Sequence, residues 1–201
     1  MKFQIFSNII IKSVKNGGMQ MKVNPVKFHV RNVSYTIRSA EETDAKTLSI
    51  VRLQIDGETE NLDREKGEAY IDEDGFKQLI HEDSKSPYNL FLVCETNERI
   101  VGFSRCEGTP LKRMRHKVEF GVCLLEEFWG YGIGTNFLKE SIKWAENNNI
   151  KKITLNVLET NEKVILLYEK YGFENEGILK KDKLLSDGQY YNTVIMGRFQ
   201  E

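Results

Sequence analysis

A chain of 201 residues with 40% hydrophobic and 29% charged side chains has the length of one domain and enough apolar surface for a substantial core. Its formal net charge of -1 offers none of the basic excess expected of a nucleic-acid or membrane-surface binder. Cys94, Cys106 and Cys123 are odd in number, lack metal-ligand spacing and each lies in a strand-like run, which reads as a reduced cytoplasmic protein with neither a disulfide framework nor a metal site.

The apolar run Phe3 to Ile11 is interrupted by Gln4, Ser7 and Asn8, is too short to span a bilayer and lacks a small-residue cleavage site. Two readings stay open for residues 1–20: an upstream extension with the true start at Met19 or Met21, or an added N-terminal strand. From Ser34 onward Tyr35 and Ile37 alternate with Thr36 and Arg38, and Thr43-Asp44 is expected to cap a helix carrying Leu48, Val51, Leu53 and Ile55. Asp56 to Asp74 follows with many more acidic residues than basic ones. The run is either a solvated face or a field that attracts a cationic amine.

Phe76, Leu79 and Ile80 mark a short helix ending before Pro87, and Tyr88–Glu95 and Arg99–Ser104 read as a hairpin across Thr96-Asn97-Glu98. Leu111 to Lys117 is a basic turn. The next strand alternates Val118, Phe120, Val122 and Leu124, which turns Glu119 to the opposite face. It runs into Trp129-Gly130-Tyr131-Gly132-Ile133-Gly134-Thr135, where a helical pattern (Phe137, Leu138, Ile142, Ala145) begins. Glycines let backbone N–H groups converge, and a helix start adds unpaired donors and a partial positive charge, so the loop is suited to a phosphate. Thr135 stands where a Rossmann fingerprint needs glycine, and the Gly-Lys-Ser/Thr of a Walker loop is missing.

A further strand-like run, Ile153 to Leu158, leads to Asn161 and a short helix ending Leu167-Tyr168-Glu169-Lys170-Tyr171-Gly172-Phe173. Asp187-Gly188 then joins two strand-like runs, Ile178–Leu185 and Tyr190–Phe199, as a hairpin, which a Rossmann domain would not contain.

Glycine loop and Asn161–Phe173 segment, in this order, resemble the GNAT superfamily of acyl-coenzyme A dependent N-acyltransferases, over roughly Val33 to Phe199. Trp129 departs from the family's Gln/Arg but is similar to the Trp-Gly-x-Gly variant of the ribosomal-protein and spermidine acetyltransferase branches. Asp187, Gly188, Tyr190, Val194 and Met196 resemble the closing hairpin of those branches, with Asn192 where they often carry Asp.

The resemblance implies an α/β (α+β) domain: a mixed, mostly antiparallel sheet, helices on both faces and a splayed central strand pair. It implies acetyl-CoA as cofactor and acetyl transfer to a primary amine, either a small amine such as a polyamine or a protein N-terminus. It also implies that the backbone at Val122, Cys123 and Leu124 pairs with the pantetheine arm, that Trp129 to Thr135 (Trp129, Gly130, Tyr131, Gly132, Ile133, Gly134, Thr135) hold the pyrophosphate, and that Asn161 contacts pantetheine. Glu119 is the candidate base, with a surface carboxylate or an Arg105 ion pair as the plain alternative. Tyr168 matches the family tyrosine that serves the leaving thiolate, though it also sits in an apolar stripe. Asn161 is equally a helix N-cap, and Lys139 and Lys143 either approach the adenosine phosphates or are merely solvated. His81 and His116 have no triad or ligand spacing and read as structural or surface residues. A non-catalytic CoA-binding sensor is the competing class, with a nucleotide binder behind it. An open strand edge after Phe199 would favour a homodimer.

Overall fold

The computed structural model describes residues 22–201. The expected strand Phe3 to Ile11 and the alternative starts Met19 and Met21 lie outside them. Eight strands form one sheet in the order β1-β2-β3-β4-β5-β6-β8-β7, with β1 Val26–Val30, β2 Val33–Ser39, β3 Leu90–Thr96, β4 Arg99–Gly108, β5 Lys117–Leu124, β6 Lys152–Leu158, β7 Glu174–Leu184 and β8 Tyr190–Phe199. Helices α1 Ala45–Ile55 and α2 Glu73–Lys85 precede β3, α3 Ile133–Asn147 links β5 to β6, and α4 Glu162–Lys170 links β6 to β7. This is the expected mixed, mostly antiparallel α/β architecture, with one strand, β1, that the alternation upstream of Ser34 does not announce.

Local chemistry explains the turns. Asn97 and Glu98 both take positive φ (48° and 61°), the handedness a two-residue hairpin needs to follow the twist of β3 and β4. Thr43-Asp44 does not cap α1 as expected. The Asp44 carboxylate accepts instead from the Glu41 N–H (2.8 Å) and from two nitrogens of Arg38 (2.7 and 2.9 Å), tying the end of β2 to a 3-10 turn before the helix. The sheet edge expected after Phe199 is also displaced, because β8 lies between β6 and β7 and β7 forms the edge.

Alternation assigns the faces. Phe91, Phe103, Arg105, Glu119 and Cys123 share one face with α1 and α2, where the Phe76 ring stands 6.4 Å from Phe91 and 6.3 Å from Phe103. Cys106, Val118 and Phe120 turn to the other face, which α3 covers with buried Phe137 and Leu138. Helix α4 lies beside α3, as the Lys139 ammonium 5.9 Å over the Tyr171 ring shows.

Arg105 crosses to α2, where the nearly buried Asp83 carboxylate accepts from its Nε (2.8 Å) and Nη2 (3.1 Å) and from Asn89 Nδ2 (2.7 Å). Removing one partner of such a pair leaves the other uncompensated. Asp83→Ala is therefore expected to lower unfolding free energy by about 3 kcal/mol. Urea denaturation checks this, and a loss below about 1 kcal/mol would show that water takes the place of the carboxylate.

Candidate active site

The site begins where the one parallel pairing ends. β5 and β6 are in register only at Lys117/Lys152, Val118/Ile153 and Glu119/Thr154, whereas β4 follows β5 to Leu124 and β8 follows β6 to Leu158. The two strands are held from outside and part from each other inside. The Leu125 N–H donates to Val101 C=O (3.0 Å), so by alternation the backbone groups of Phe120, Val122 and Leu124 face the opening. Of these the Leu124 carbonyl accepts from the Trp129 indole Nε1 (2.9 Å), which folds the glycine loop back over the strand end. That contact gives Trp129 a structural task its position in the motif does not reveal, although its ring remains 44% exposed.

The loop arrives at α3 with its donors outward. Gly130 and Gly132 have φ of 81° and 76°, which L side chains rarely adopt, and the first α3 bond runs from Asn136 N–H to Gly132 C=O (2.9 Å). Among the described residues the N–H groups of Gly130 to Thr135 have no acceptor. Gly134 has an ordinary φ, and a Cβ built on it, as on Gly130, would meet nothing within 4 Å. The protein itself leaves room there for glycine to be replaced, so the empty space and the converging donors fit a ligand pyrophosphate. The Ile133 side chain is buried in the core, which leaves only its backbone facing the loop.

Two residues that motif reading misses brace this loop. Tyr35 of β2 donates to Tyr131 C=O (3.2 Å) and accepts from Asn136 Nδ2 (2.7 Å), and burial raises its hydroxyl above the usual tyrosine range. The contacts cross 96 and 101 positions of chain, beyond the reach of any local pattern.

Glu119 is exposed and accepts from Asn156 Nδ2 of β6 (3.3 Å), so it lies at the mouth of the opening. The proposed alternative partner, Arg105, is engaged with Asp83 and Glu107. Gly121, two residues along the same face, would place a Cβ in open space. Tyr168 is 6% exposed, with its ring 5.6 Å from Phe173, and burial pushes its hydroxyl up to about 12. Among the described residues nothing hydrogen-bonds that hydroxyl. Asn161 occupies the N-cap position of α4, but its side chain makes no cap bond; its carbonyl accepts from Val164 (3.0 Å) and Ile165 (3.1 Å) instead. Val122 and Cys123 are half-buried beside the opening, and burial raises the Cys123 thiol to about 11. Lys139 leans over Tyr171 and Lys143 is exposed, while His81 sits on the surface 2.9 Å from Glu42. No group of metal-ligating side chains occurs among the described residues.

The stretch between α1 and α2 roofs the opening. Glu58 accepts from the Glu126 N–H just past β5 (2.8 Å), Glu60 accepts from the Ser186 N–H of the β7–β8 hairpin (2.9 Å), and Asp63 pairs with Lys183 of β7 (2.7 Å). Its acidic run is therefore largely spent on fastening the roof. Of the other carboxylates, Glu68 accepts from Glu65 N–H, Asp72 from Gly75 N–H, and Glu73 and Asp74 pair with Lys77.

A sheet opened at its one parallel pair, a donor-lined loop at the start of α3 and a roofed cleft define the architecture of an acyl-CoA dependent transferase. The sequence matches the Acetyltransferase (GNAT) family over residues 53–173, and the chain belongs to that family, as an N-acetyltransferase whose acyl donor is acetyl-CoA. It is 27% identical to the L-amino acid N-acetyltransferase AaaT of Escherichia coli (strain K12) over 81% of this chain and 96% of that protein. It is 29% identical to the spermidine N(1)-acetyltransferase of the same organism over 66% of this chain and 69% of that one. The crystal structure of a GNAT-family acetyltransferase from Streptococcus pneumoniae superposes with a TM-score of 0.80 at 24% identity, covering 83% of this chain and 99% of that one.

Two substitutions separate folding from binding. Gly134→Ala is expected to leave the melting temperature within about 2 °C and to weaken CoA binding at least about tenfold, since its Cβ meets no protein atom but fills the cradle. Tyr35→Phe, which unties the loop, is expected to raise the CoA dissociation constant about fivefold, the worth of one net hydrogen bond. Calorimetric titration with CoA checks both, and undiminished binding by Gly134→Ala would remove the loop from the cofactor site.

Proposed function

We propose that this N-acetyltransferase moves the acetyl group to a primary amine by direct attack of the amine nitrogen, with Glu119 and Tyr168 as its proton-handling residues. The observation that carries this reading is the opening beyond Glu119/Thr154, which sets a carboxylate, unpaired strand backbone and the glycine loop along one continuous cleft. Acetyl-CoA supplies an acyl group already activated as a thioester. Val122 and Leu124 present strand backbone to the pantetheine arm, the expected Cys123 turning its backbone to β4 and only its side chain to the cleft face, and Asn161, free of a capping duty, reaches the same arm from α4. The segment Trp129 to Thr135 holds the pyrophosphate.

An alkylamine has a pKa near ~10.4, so about one molecule in a thousand is neutral at pH 7. Glu119, exposed at the mouth and oriented by Asn156, accepts the proton directly or through water. At the opposite side Tyr168 donates a hydrogen bond to the departing sulfur. Burial supports that role, because a hydroxyl held at about 12 remains protonated across the working range and loses its proton only as pH rises through that value. The acceptor is a small amine or a protein N-terminus, and the spermidine and amino-acid enzymes among its relatives support the small amine. A protein that only sensed CoA would need neither residue.

Thiol release from acetyl-CoA with polyamines, amino acids and peptide N-termini, against an acceptor-free control, tests the reaction. Tyr168→Phe is expected to lower kcat about tenfold to a hundredfold with the KM for acetyl-CoA changed less than about threefold. Its wild-type counterpart should show no alkaline decline attributable to Tyr168 below about pH 11. Glu119→Gln should lower kcat/KM most at low pH, where neutral amine is scarcest, and retention of full activity there would place the base elsewhere.

A further inference from the structure

Beneath the roof lies a charged cluster that the transfer chemistry does not use. Arg64 Nη2 and Nε donate to the Asp56 carboxylate (3.0 and 3.3 Å), Arg52 Nε approaches the same carboxylate at 3.8 Å, and Arg52 Nη1 donates to Ala69 C=O (2.7 Å). Two guanidiniums share one carboxylate. The cluster is mostly shielded from solvent, with side-chain exposures of 8% for Arg52, 2% for Asp56 and 25% for Arg64. Its net positive charge thus sits where water neutralises it poorly.

Its position relates it to the acceptor. Arg52 and Asp56 lie at the end of α1, which packs on the sheet face that carries Cys123, and the segment that bears Arg64 is tied past the end of β5, where Glu58 accepts from the Glu126 N–H (2.8 Å). Gly121 and Glu119 follow along that face, and Gly121 opens on empty space. Four residues of strand separate Cys123 from Glu119, roughly 13 Å between Cα atoms, and two long side chains reaching inward from the ends shorten the gap to that of a small molecule. Glu107 stands directly across from Glu119 on β4 and pairs with Arg105, so Glu119 is the carboxylate offered at one end of the cleft, and the other end carries the guanidinium pair with its single carboxylate. Meanwhile several carboxylates of the roof are held by its own fastenings rather than aimed into the cleft.

Resting on the primary-amine reading above, we propose that Arg64, backed by Arg52, holds a carboxylate of the acceptor, so that the substrate is an amino acid or a similarly short amine–carboxylate, with its amine toward Glu119. Of the two arginines Arg64 is the one with access. Two of its five N–H groups go to Asp56, and a planar guanidinium can offer others to a carboxylate in the paired geometry that lysine lacks. Arg52 is a positioning residue: it keeps Asp56 from cancelling Arg64 completely. Burial and the charge of Arg64 together push its own ionisation below the usual arginine range, as expected where like charges are held together.

The test uses the full chain, acetyl-CoA, a panel of L-amino acids, the matching amino-acid amides and spermidine, with thiol release as readout. The amides keep the α-amine and remove the carboxylate charge; because that also lowers the pKa of the amine, kcat/KM is compared per unprotonated amine. For the wild type, kcat/KM is expected to be at least about tenfold higher for the acids than for the amides or spermidine, the worth of one charged hydrogen-bonded pair. Arg64→Gln should raise KM for the acids about tenfold or more, with kcat changed less than about threefold, and should affect the amides much less; Arg64→Lys should recover part of the loss. A melting curve of each variant separates this from misfolding, and a variant that unfolds is replaced by the wild-type acid/amide ratio, which needs no mutation. Amides or spermidine equal to the acids, or an equal loss for acids and amides in Arg64→Gln, would overturn the carboxylate site while leaving the transferase intact. Absence of release with every acceptor would overturn the primary-amine reading and this proposal with it.

Discussion

Everything that distinguishes this sheet depends on three rungs of parallel pairing between β5 and β6 and on their ending at Glu119/Thr154. A strand pair that stops early leaves backbone donors and acceptors without partners, and inside a protein each such group costs free energy unless water or a ligand satisfies it. The sheet tolerates the breach because each strand is fully paired on its other side, β5 with β4 through Leu124 and β6 with β8 through Leu158. The breach is also closed over at the top. The α1–α2 segment fastens at Glu126 past β5 and at Ser186 and Lys183 on the far hairpin, so it spans the gap without filling it. Unsatisfied backbone is thereby kept as a preformed edge for an extended ligand arm.

The glycine loop works on the same principle of held-open geometry. Positive φ at Gly130 and Gly132 turns its amides to one side, and an αL glycine immediately before α3 lets the helix start without a side-chain cap. Such a loop would collapse or wander if it were tethered only through its neighbours. Tyr35 and Asn136 provide the long-range tie, and the Trp129 indole provides the short one. Donors fixed in advance need not be reordered when an anion arrives, which is why the binding energy is available for holding the ligand.

What could be read from the chain and what could not follows from the range of the interactions. The β3–β4 and β7–β8 hairpins, the α3 face and the strand–loop–helix passage rest on periodicity and turn chemistry within a few residues, and all were legible. Glu119 was legible as a side chain on the cleft face because alternation alone fixes its direction. Tyr35 was legible only as a strand residue, since its purpose lies about a hundred positions away. Charge patterning at Asp56 to Asp74 left a solvated face and an attracting field open, and it could not show that several of these carboxylates also serve as fastenings, to Gln54, Arg64, Lys77, Lys183 and backbone amides. Asp44 and Asn161 each occupy a position where a cap is expected, and neither side chain caps its helix, because Arg38 claims the one and the α4 entry uses backbone alone for the other.

The distribution of charge along the cleft also bears on how hard the base must work. A lysine-like amine is neutral in about one molecule per thousand at pH 7, whereas an α-amine with pKa near ~8 is neutral in roughly one per ten. That lower value belongs to an α-amine whose carboxyl is tied up in an amide; a free carboxylate beside the amine stabilises the ammonium, so an amino acid still arrives mostly protonated and needs a proton acceptor such as a carboxylate at an open, hydrated strand end. Glu119 sits in such a place, exposed and bonded to Asn156. Arg52, Asp56 and Arg64 are shielded from solvent at the end of the cleft away from the base, where selectivity for a carboxylate is useful and proton transfer is not required. Burial has been placed where it sharpens recognition, and exposure where a proton must leave.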